Sequence, residues 1–316
     1  MTSAPRVVAI GGGTGLAASL AAIRSVTSDV TAVVSVADDG GSSGRLRNEL
    51  DLPALGDLRK AVVALAADDS PWVDALRHRF PAGDLEDHAF GNLLIAALLG
   101  TGLSLIEAVD RCLELVSGPG RVLPTTLDPV TLCGRTSAGA VVTGQVQIME
   151  TAGVERVWLD PGEAAAPGDV LRAIESATQI VLGPGSLFTS VLAATAVSSI
   201  TSAVKAAHGE FIYVANLRPQ VPETGEFTLE DHLRALATHN LDPDRVLYDG
   251  RHMTSDPDSA FWLQNRATNV AISQPERGSA ARMVVEDVAL AGDNGVEHDP
   301  ILLARAIFGE LAAGAS

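Results

Sequence analysis

Short apolar runs alternate with stretches of helical periodicity along most of the chain. The run Val7-Val8-Ala9-Ile10 has the length and continuity of a buried strand, expected over residues 6–10. A helix over 16–25 and a second strand over 31–36 follow. Two strands joined by a helix make a right-handed crossover, so the pattern predicts a parallel sheet. From Asp57 to Val116 the periodicity is helical, with starts at Asp57, Pro71-Trp72, Asn92 and Ser104. Between Arg121 and Asp160 it changes to short β-rich runs (Arg121-Val122-Leu123, Val130-Thr131-Leu132, Ala140-Val141-Val142 and 154–159) separated by Gly, Pro and Thr. The βα rhythm resumes with strands over 179–182, 211–214 and 245–248, helices after Ser186 and over 229–238, and a last helix from Pro300 to Leu311. The fold class expected is α/β: a Rossmann-like, doubly wound, mostly parallel sheet with helices on both faces and an inserted β-rich segment. It is read as a single domain over 1–316 with the insertion at about 121–160; the linker-like 161–167 gives no firm boundary.

Composition narrows the core and the partners. Hydrophobic residues make up 47% of the chain and aromatic ones 4%, so the core must be mostly Ala, Val and Leu, as suits buried parallel strands. The formal charge of −17 argues against nucleic acid or an anionic membrane as partner. It leaves room for a small phosphorylated ligand, because local amides can set the potential in a cleft. Cys112 and Cys133 fit no zinc spacing and read as reduced structural thiols. No uninterrupted apolar stretch approaches the roughly 18 residues of a membrane span, and the run before Gly11 is too short for a signal peptide. A cytoplasmic protein is expected.

In open α/β sheets, ligands bind beyond the carboxyl ends of the strands near a topological switch point. Three expected strands end in loops suited to that edge. The first is Gly11-Gly12-Gly13-Thr14-Gly15, whose glycines let backbone approach oxygen and whose helix start offers free N–H groups. Its Gly13-x-Gly15-x-x-Ala18 also fits a relaxed dinucleotide fingerprint, which makes NAD a candidate ligand. The second is Ala37-Asp38-Asp39-Gly40-Gly41-Ser42-Ser43-Gly44-Arg45, with carboxylates for hydroxyls or for Mg²⁺ through Asp38 and Asp39. The third is Gly183-Pro184-Gly185-Ser186 followed by Leu187-Phe188-Thr189, where Ser186 is expected to cap the next helix and the amides to face an anion. Each loop also has a plain reading as a tight turn or cap without ligand.

Asn216, His88 and Asn92 could reach the same edge, whereas Asp57 reads first as the cap of its own helix. Glu223 and Thr224 lie in a loop that could close over a ligand. His78, His208, His232, His239, His252 and His298 form no metal spacing, and no Gly-x-Ser-x-Gly elbow is present.

Taken in order, residues 11–16, 38–47, Gly56-Asp57-Leu58-Arg59, His88-Ala89-Phe90-Gly91-Asn92-Leu93 and 183–190 resemble the YvcK/GlmR gluconeogenesis factor family (UPF0052). This family lies in the superfamily of the 2-phospho-lactate transferase CofD. The resemblance runs from about Val7 to Thr238, through Asn216-Leu217 and Pro222-Glu223-Thr224-Gly225. It implies a Rossmann-like core, binding of UDP-sugars, notably UDP-N-acetylglucosamine, and a part in cell-wall precursor supply and cell shape. It also implies an enzyme of amino-sugar synthesis as partner; a homo-oligomer is the expected assembly. CofD-like proteins use Mg²⁺ to transfer a phospholactyl group to a deazaflavin. The first loop here reads Gly-Gly-Gly-Thr-Gly-Leu and not the Gly-Gly-Thr-Gly-Gly of CofD, which argues against transfer to a deazaflavin; the chain departs from the family pattern at Lys60, where Asn is expected, and at Pro222, where Gly is expected before Glu-Thr.

Three functions are compatible with these residues. The first is a UDP-sugar-binding regulator. The second is a nucleotidyl- or phospho-group transferase, with Asp38, Asp39 and Asp57 holding Mg²⁺ and Arg45 or Arg59 stabilising phosphate. The third is an NAD-dependent oxidoreductase, resting on the fingerprint alone.

Overall fold

In the computed structural model, which describes residues 4–50, 52–253, 283–292 and 297–309, strand β1 (Val7–Gly11) is buried at every position. A strand that is apolar throughout needs cover on both faces, and β1 obtains it at the centre of a seven-stranded sheet. The order is β10 (Val284–Asp287), β9 (Arg245–Tyr248), β8 (Glu210–Val214), β7 (Gln179–Leu182), β1, β2 (Val30–Val34), β3 (Arg121–Pro124). All six pairings are parallel. From β1 the chain winds outward to β2 and β3, returns to β7 on the other flank, and then winds the opposite way. The switch point therefore lies between β1 and β7. Ser35 N–H donates to Gly11 O (2.9 Å) and Gly183 N–H to Ile10 O (3.0 Å), so β1, β2 and β7 end at one level.

Helices α1 (Gly13–Arg24), α2 (Gly41–Leu50), α3 (Gly56–Leu65), α4 (Trp72–Arg77), α5 (Phe90–Gly100) and α6 (Leu105–Leu115) precede β3. The helix Pro300–Phe308 and α3 both pack on α1. Their starts are chemically marked. Ser104 and Glu107 form a reciprocal capping box on α6, and Thr228 and Asp231 form one on α11 (Leu229–Thr238). Asp299 accepts from Ile301 N–H and Leu302 N–H ahead of Pro300.

The inserted sheet is smaller than the β-rich pattern suggests. Arg121–Pro124 is not part of it: Val122 and Leu123 are fully buried and pair with β2 at the edge of the main sheet. The insertion proper is a three-stranded antiparallel sheet with β4 (Thr131–Thr136) between β5 (Val141–Thr143) and β6 (Val154–Asp160), plus the short helix α7 (Gln145–Met149). Helix α2 replaces what reads as a continuous loop through Arg45. Its sequence offers only Leu46 and Leu50 as apolar residues, too few for a periodic stripe, and polar contacts hold it instead. Asn92 is not a helix start either; α5 begins at Phe90, and Asn92 N–H bonds Ala89 O within its first turn. Helix α8 (Gly168–Ser176) and strand β10 have no counterpart in the expected pattern, while the helix expected after Ser186 is a π-helical turn followed by the short α9 (Ala193–Thr195) and by α10 (Ser198–Ala206). The end of the expected last helix, beyond Gly309, lies outside the described residues.

Asp249 closes the far side of the sheet. Its side chain is 1% exposed, takes Arg251 through Nε (2.8 Å) and Nη2 (2.6 Å), and accepts from Leu290 N–H (2.9 Å) and Ala291 N–H (3.2 Å). The Arg251 guanidinium holds its carboxyl below the usual carboxylate range; burial opposes this, and the backbone amides reinforce it. A depressed folded-state pKa contributes stability that is present above the unfolded value, near pH 4, and is lost as pH falls toward the folded value. Asp249→Ala strands two buried N–H groups and is expected to cost about 2–4 kcal/mol in urea unfolding. Asp249→Asn should flatten the loss of stability below about pH 4 relative to the parent.

Candidate functional site

The first loop turns from β1 into α1 with almost no side chain. Gly12 is extended and stands at the N-cap position, and Gly13 has φ +67°, which favours glycine. Gly13 N–H donates to Asp57 Oδ2 at 2.8 Å, so a carboxylate from the first turn of α3 sits at the N-terminus of α1. Asp57 thus serves a neighbouring helix rather than capping its own. A Cβ on Gly12 would lie 2.6 Å from that same oxygen, and one on Gly15 would lie 2.2 Å from Pro184 O. The first and third loops therefore touch backbone to backbone. Ser19 Oγ reinforces the contact by donating to Gly183 O at 2.7 Å. Thr14, between the two glycines, is exposed.

The second loop is held by its own polar groups. Asp38 Oδ1 accepts from Gly40 N–H at 2.9 Å. Burial pushes the Asp38 carboxyl up and nearby Asp57 adds to the rise, while the Gly40 amide, Ser43 and Lys60 oppose it. Ser43 Oγ accepts from Gly56 N–H at 2.9 Å. Ser42 Oγ accepts from Asn92 Nδ2 and lies 3.1 Å from His88 Nδ1, while Asn92 Oδ1 takes Arg59 Nε at 3.0 Å. Asn92 and His88 are therefore brought to the second loop, but inside a buried network. Burial and the Arg45 charge lower the His88 pKa, which keeps the imidazole neutral at physiological pH. Arg45 itself donates to Glu86 O and Arg59 is buried, so neither cation proposed for phosphate points at the cleft.

Asp39 turns the other way. Its two oxygens accept from Gln145 N–H and Val146 N–H, each at 3.0 Å, which ties the start of α7 to the second loop. The donor set does not suit Mg²⁺ shared by Asp38 and Asp39. Asp39 is engaged with amides, Asp57 with Gly13 and with the Lys60 ammonium at 2.9 Å, and a lysine at that spot repels a cation. Among the described residues no three His, Cys, Asp or Glu side chains converge as a metal ligand group.

The third loop carries glycines at φ +80° (Gly183) and +151° (Gly185), with Gly185 N–H bonded to Asn216 Oδ1 at 2.9 Å. A π-helical turn, Leu187–Leu192, follows. Its cap is not Ser186, whose side chain makes no capping bond, but Glu223. Glu223 Oε1 accepts from Phe188 N–H (2.7 Å) and Thr189 N–H (3.1 Å), and its Oε2 takes Thr189 Oγ1 (3.3 Å). These amides, expected to face a bound anion, are filled by the protein's own carboxylate. Burial raises the Glu223 pKa against the pull of those donors, and its side chain is out of contact with solvent. Gln145 Nε2 donates to Thr189 O at 2.9 Å, so the inserted helix reaches the third loop as well as the second.

Two residues at this edge escape sequence reasoning. Lys60 stands out in the sequence as a departure from the family pattern, but its pairing with Asp57 is an i,i+3 spacing common on any helix surface and gives no sign of a place at this edge. Gln145 has no local signal, because the insertion brings it in from over a hundred residues beyond Asp39. Three of the remaining histidines are packing residues: His232 with Tyr213 OH (2.8 Å), His239 between Ala235 O and Val157 N–H, and His298 with Ala215 O.

The family described as 2-phospho-L-lactate transferase CofD matches residues 7–296. The gluconeogenesis factor of Bacillus subtilis is 39% identical over 242 residues, which is 76% of each chain. A relative from Clostridium acetobutylicum is 39% identical over 244 residues, and the match spans 54% of its length, so this chain covers about half of that protein. The crystal structure of a UPF0052 family protein from Bacillus halodurans superposes with a TM-score of 0.84 at 32% identity, covering 97% of this chain and 99% of that one. Those likenesses, extending across the whole doubly wound sheet and its three loops, show that the chain belongs to the gluconeogenesis factor family, UPF0052, within the CofD superfamily.

Proposed function

We propose that this edge binds the diphosphate of a UDP-sugar, UDP-N-acetylglucosamine, and that the protein regulates cell-wall precursor supply and cell shape in response. The observation that carries this reading is the backbone contact between Gly15 and Pro184 at the switch point between β1 and β7. A surface made of peptide groups rather than side chains suits an oxygen-rich diphosphate, and the Asp38 loop beside it suits sugar and ribose hydroxyls. The titratable groups around it mostly hold loops in place: Asp39 holds α7, Glu223 the π-helical turn, His88 the α2 start. That arrangement favours binding coupled to loop movement, with an enzyme of amino-sugar synthesis as the downstream partner.

The CofD match favours a second reading, phospho-group or nucleotidyl transfer, because such chemistry needs positioning and electrostatics more than a nucleophile. Turnover of nucleotide plus sugar phosphate that Asp38→Ala abolishes would select it. Binding without turnover selects the regulator.

Calorimetry of the folded protein should show saturable binding of UDP-N-acetylglucosamine; no heat with correctly folded protein would sink the proposal. At 100 times its dissociation constant the ligand should add about 2.7 kcal/mol of stability, visible as a thermal shift, with NAD and GDP as comparison ligands. Gly15→Ala forces a methyl group against Pro184 O and parts the two loops. It should abolish that shift, and its own melting temperature should fall by several degrees, as about 1–3 kcal/mol of overpacking implies.

A further inference from the structure

We infer that Lys60 supplies the positive charge at the diphosphate site in place of a divalent metal ion, so that ligand binding is metal-independent. The inference rests on the diphosphate-binding reading above. Lys60 stands one turn along α3 from Asp57, and its Nζ lies 2.9 Å from Asp57 Oδ1. The other oxygen of Asp57 holds Gly13 N–H, so an unbroken line runs from ammonium through carboxylate to the amide at the start of α1. The Lys60 side chain is 33% exposed, and Asp57 engages one of its three N–H donors. Its charge also acts on Asp38, the buried carboxylate of the second loop.

The charge balance requires such a group. Asp38 and Asp57 place two carboxyl groups at an edge that must accept a further polyanion. Of the basic side chains that the sequence places here, Arg45 donates to Glu86 O and Arg59 is buried against Asn92. Lys60 is the one turned toward Asp57 and the glycine loop. Two of the three carboxylates that could have held a metal are engaged elsewhere, Asp39 by two amides and Asp57 by Gly13 N–H and Lys60. A compact ammonium on a flexible stem is a recurrent point-charge partner for phosphate.

The test is titration of the full chain with UDP-N-acetylglucosamine in EDTA and in Mg²⁺, and with inorganic pyrophosphate in EDTA, for the parent and for Lys60→Ala, Lys60→Gln and Lys60→Arg. The parent should bind the sugar nucleotide in EDTA as tightly as in Mg²⁺. Lys60→Ala and Lys60→Gln should each weaken both ligands at least about tenfold in EDTA, the loss expected for one charge-assisted hydrogen bond. Lys60→Gln can still donate to Asp57 without a charge, so equal loss in both variants assigns the effect to the charge; Lys60→Arg should restore most of it. A parent that binds only with Mg²⁺, or Lys60→Ala binding as tightly as the parent, overturns the inference while leaving the UDP-sugar reading intact. Pyrophosphate binding that depends on Lys60 without any sugar-nucleotide binding upholds the inference and overturns that reading. A parent that binds neither ligand overturns both.

Discussion

Two backbones meet where the strand order reverses, and most of the molecule's local chemistry follows from how closely they do so. Gly15 and Pro184 approach within a distance that excludes any β-carbon, which fixes the first turn of α1 against the loop after β7. Ser19 then reaches Gly183, and Asn216 reaches Gly185, so β1, β7 and β8 share one rim. A rim of this kind is rigid because it is made of main chain. It is also polar without being charged, so the sign of the potential there depends on the side chains brought to it.

Those side chains are mostly carboxylates, and the molecule uses them as internal ligands for its own amides. Asp57 sits on the α1 start, Asp39 on the α7 start, Glu223 on the π-helical turn and Asp249 on the segment leading from β10. Helix starts attract negative charge, and each of these carboxylates offsets part of its desolvation by taking two or more donors. In a chain with 39 acidic and 22 basic residues, these four acids serve as ligands for backbone amides.

Much of this was legible in the sequence, for physical reasons that can be named. Continuous apolar runs marked β1, β7, β8 and β9, and helical periodicity marked α6 from Ser104 and α11 over 229–238. The three loops were legible as turns at strand ends because glycine supplies the backbone conformations that such tight turns need. Helix α2 was not, because it lacks an apolar stripe and depends on Ser42, Ser43 and Asn92 for its place. Nor was the role of Glu223 or Asp39: each acts on amides brought near by the fold, 34 and 106 positions away, and a capping carboxylate distant in sequence leaves no local pattern. Arg121–Pro124 was assigned to the wrong sheet because a short β-rich run carries no information about its neighbour.

The inserted sheet is fastened to the rest by bonds of unequal kind. Asp39 grips the start of α7, Gln145 grips Thr189, and Val157 in β6 donates to His239 at the end of α11. The first two fastenings tie α7 to the second and third loops and the third ties β6 to the end of α11, so one small sheet is bonded to segments of the main fold that lie far apart in sequence.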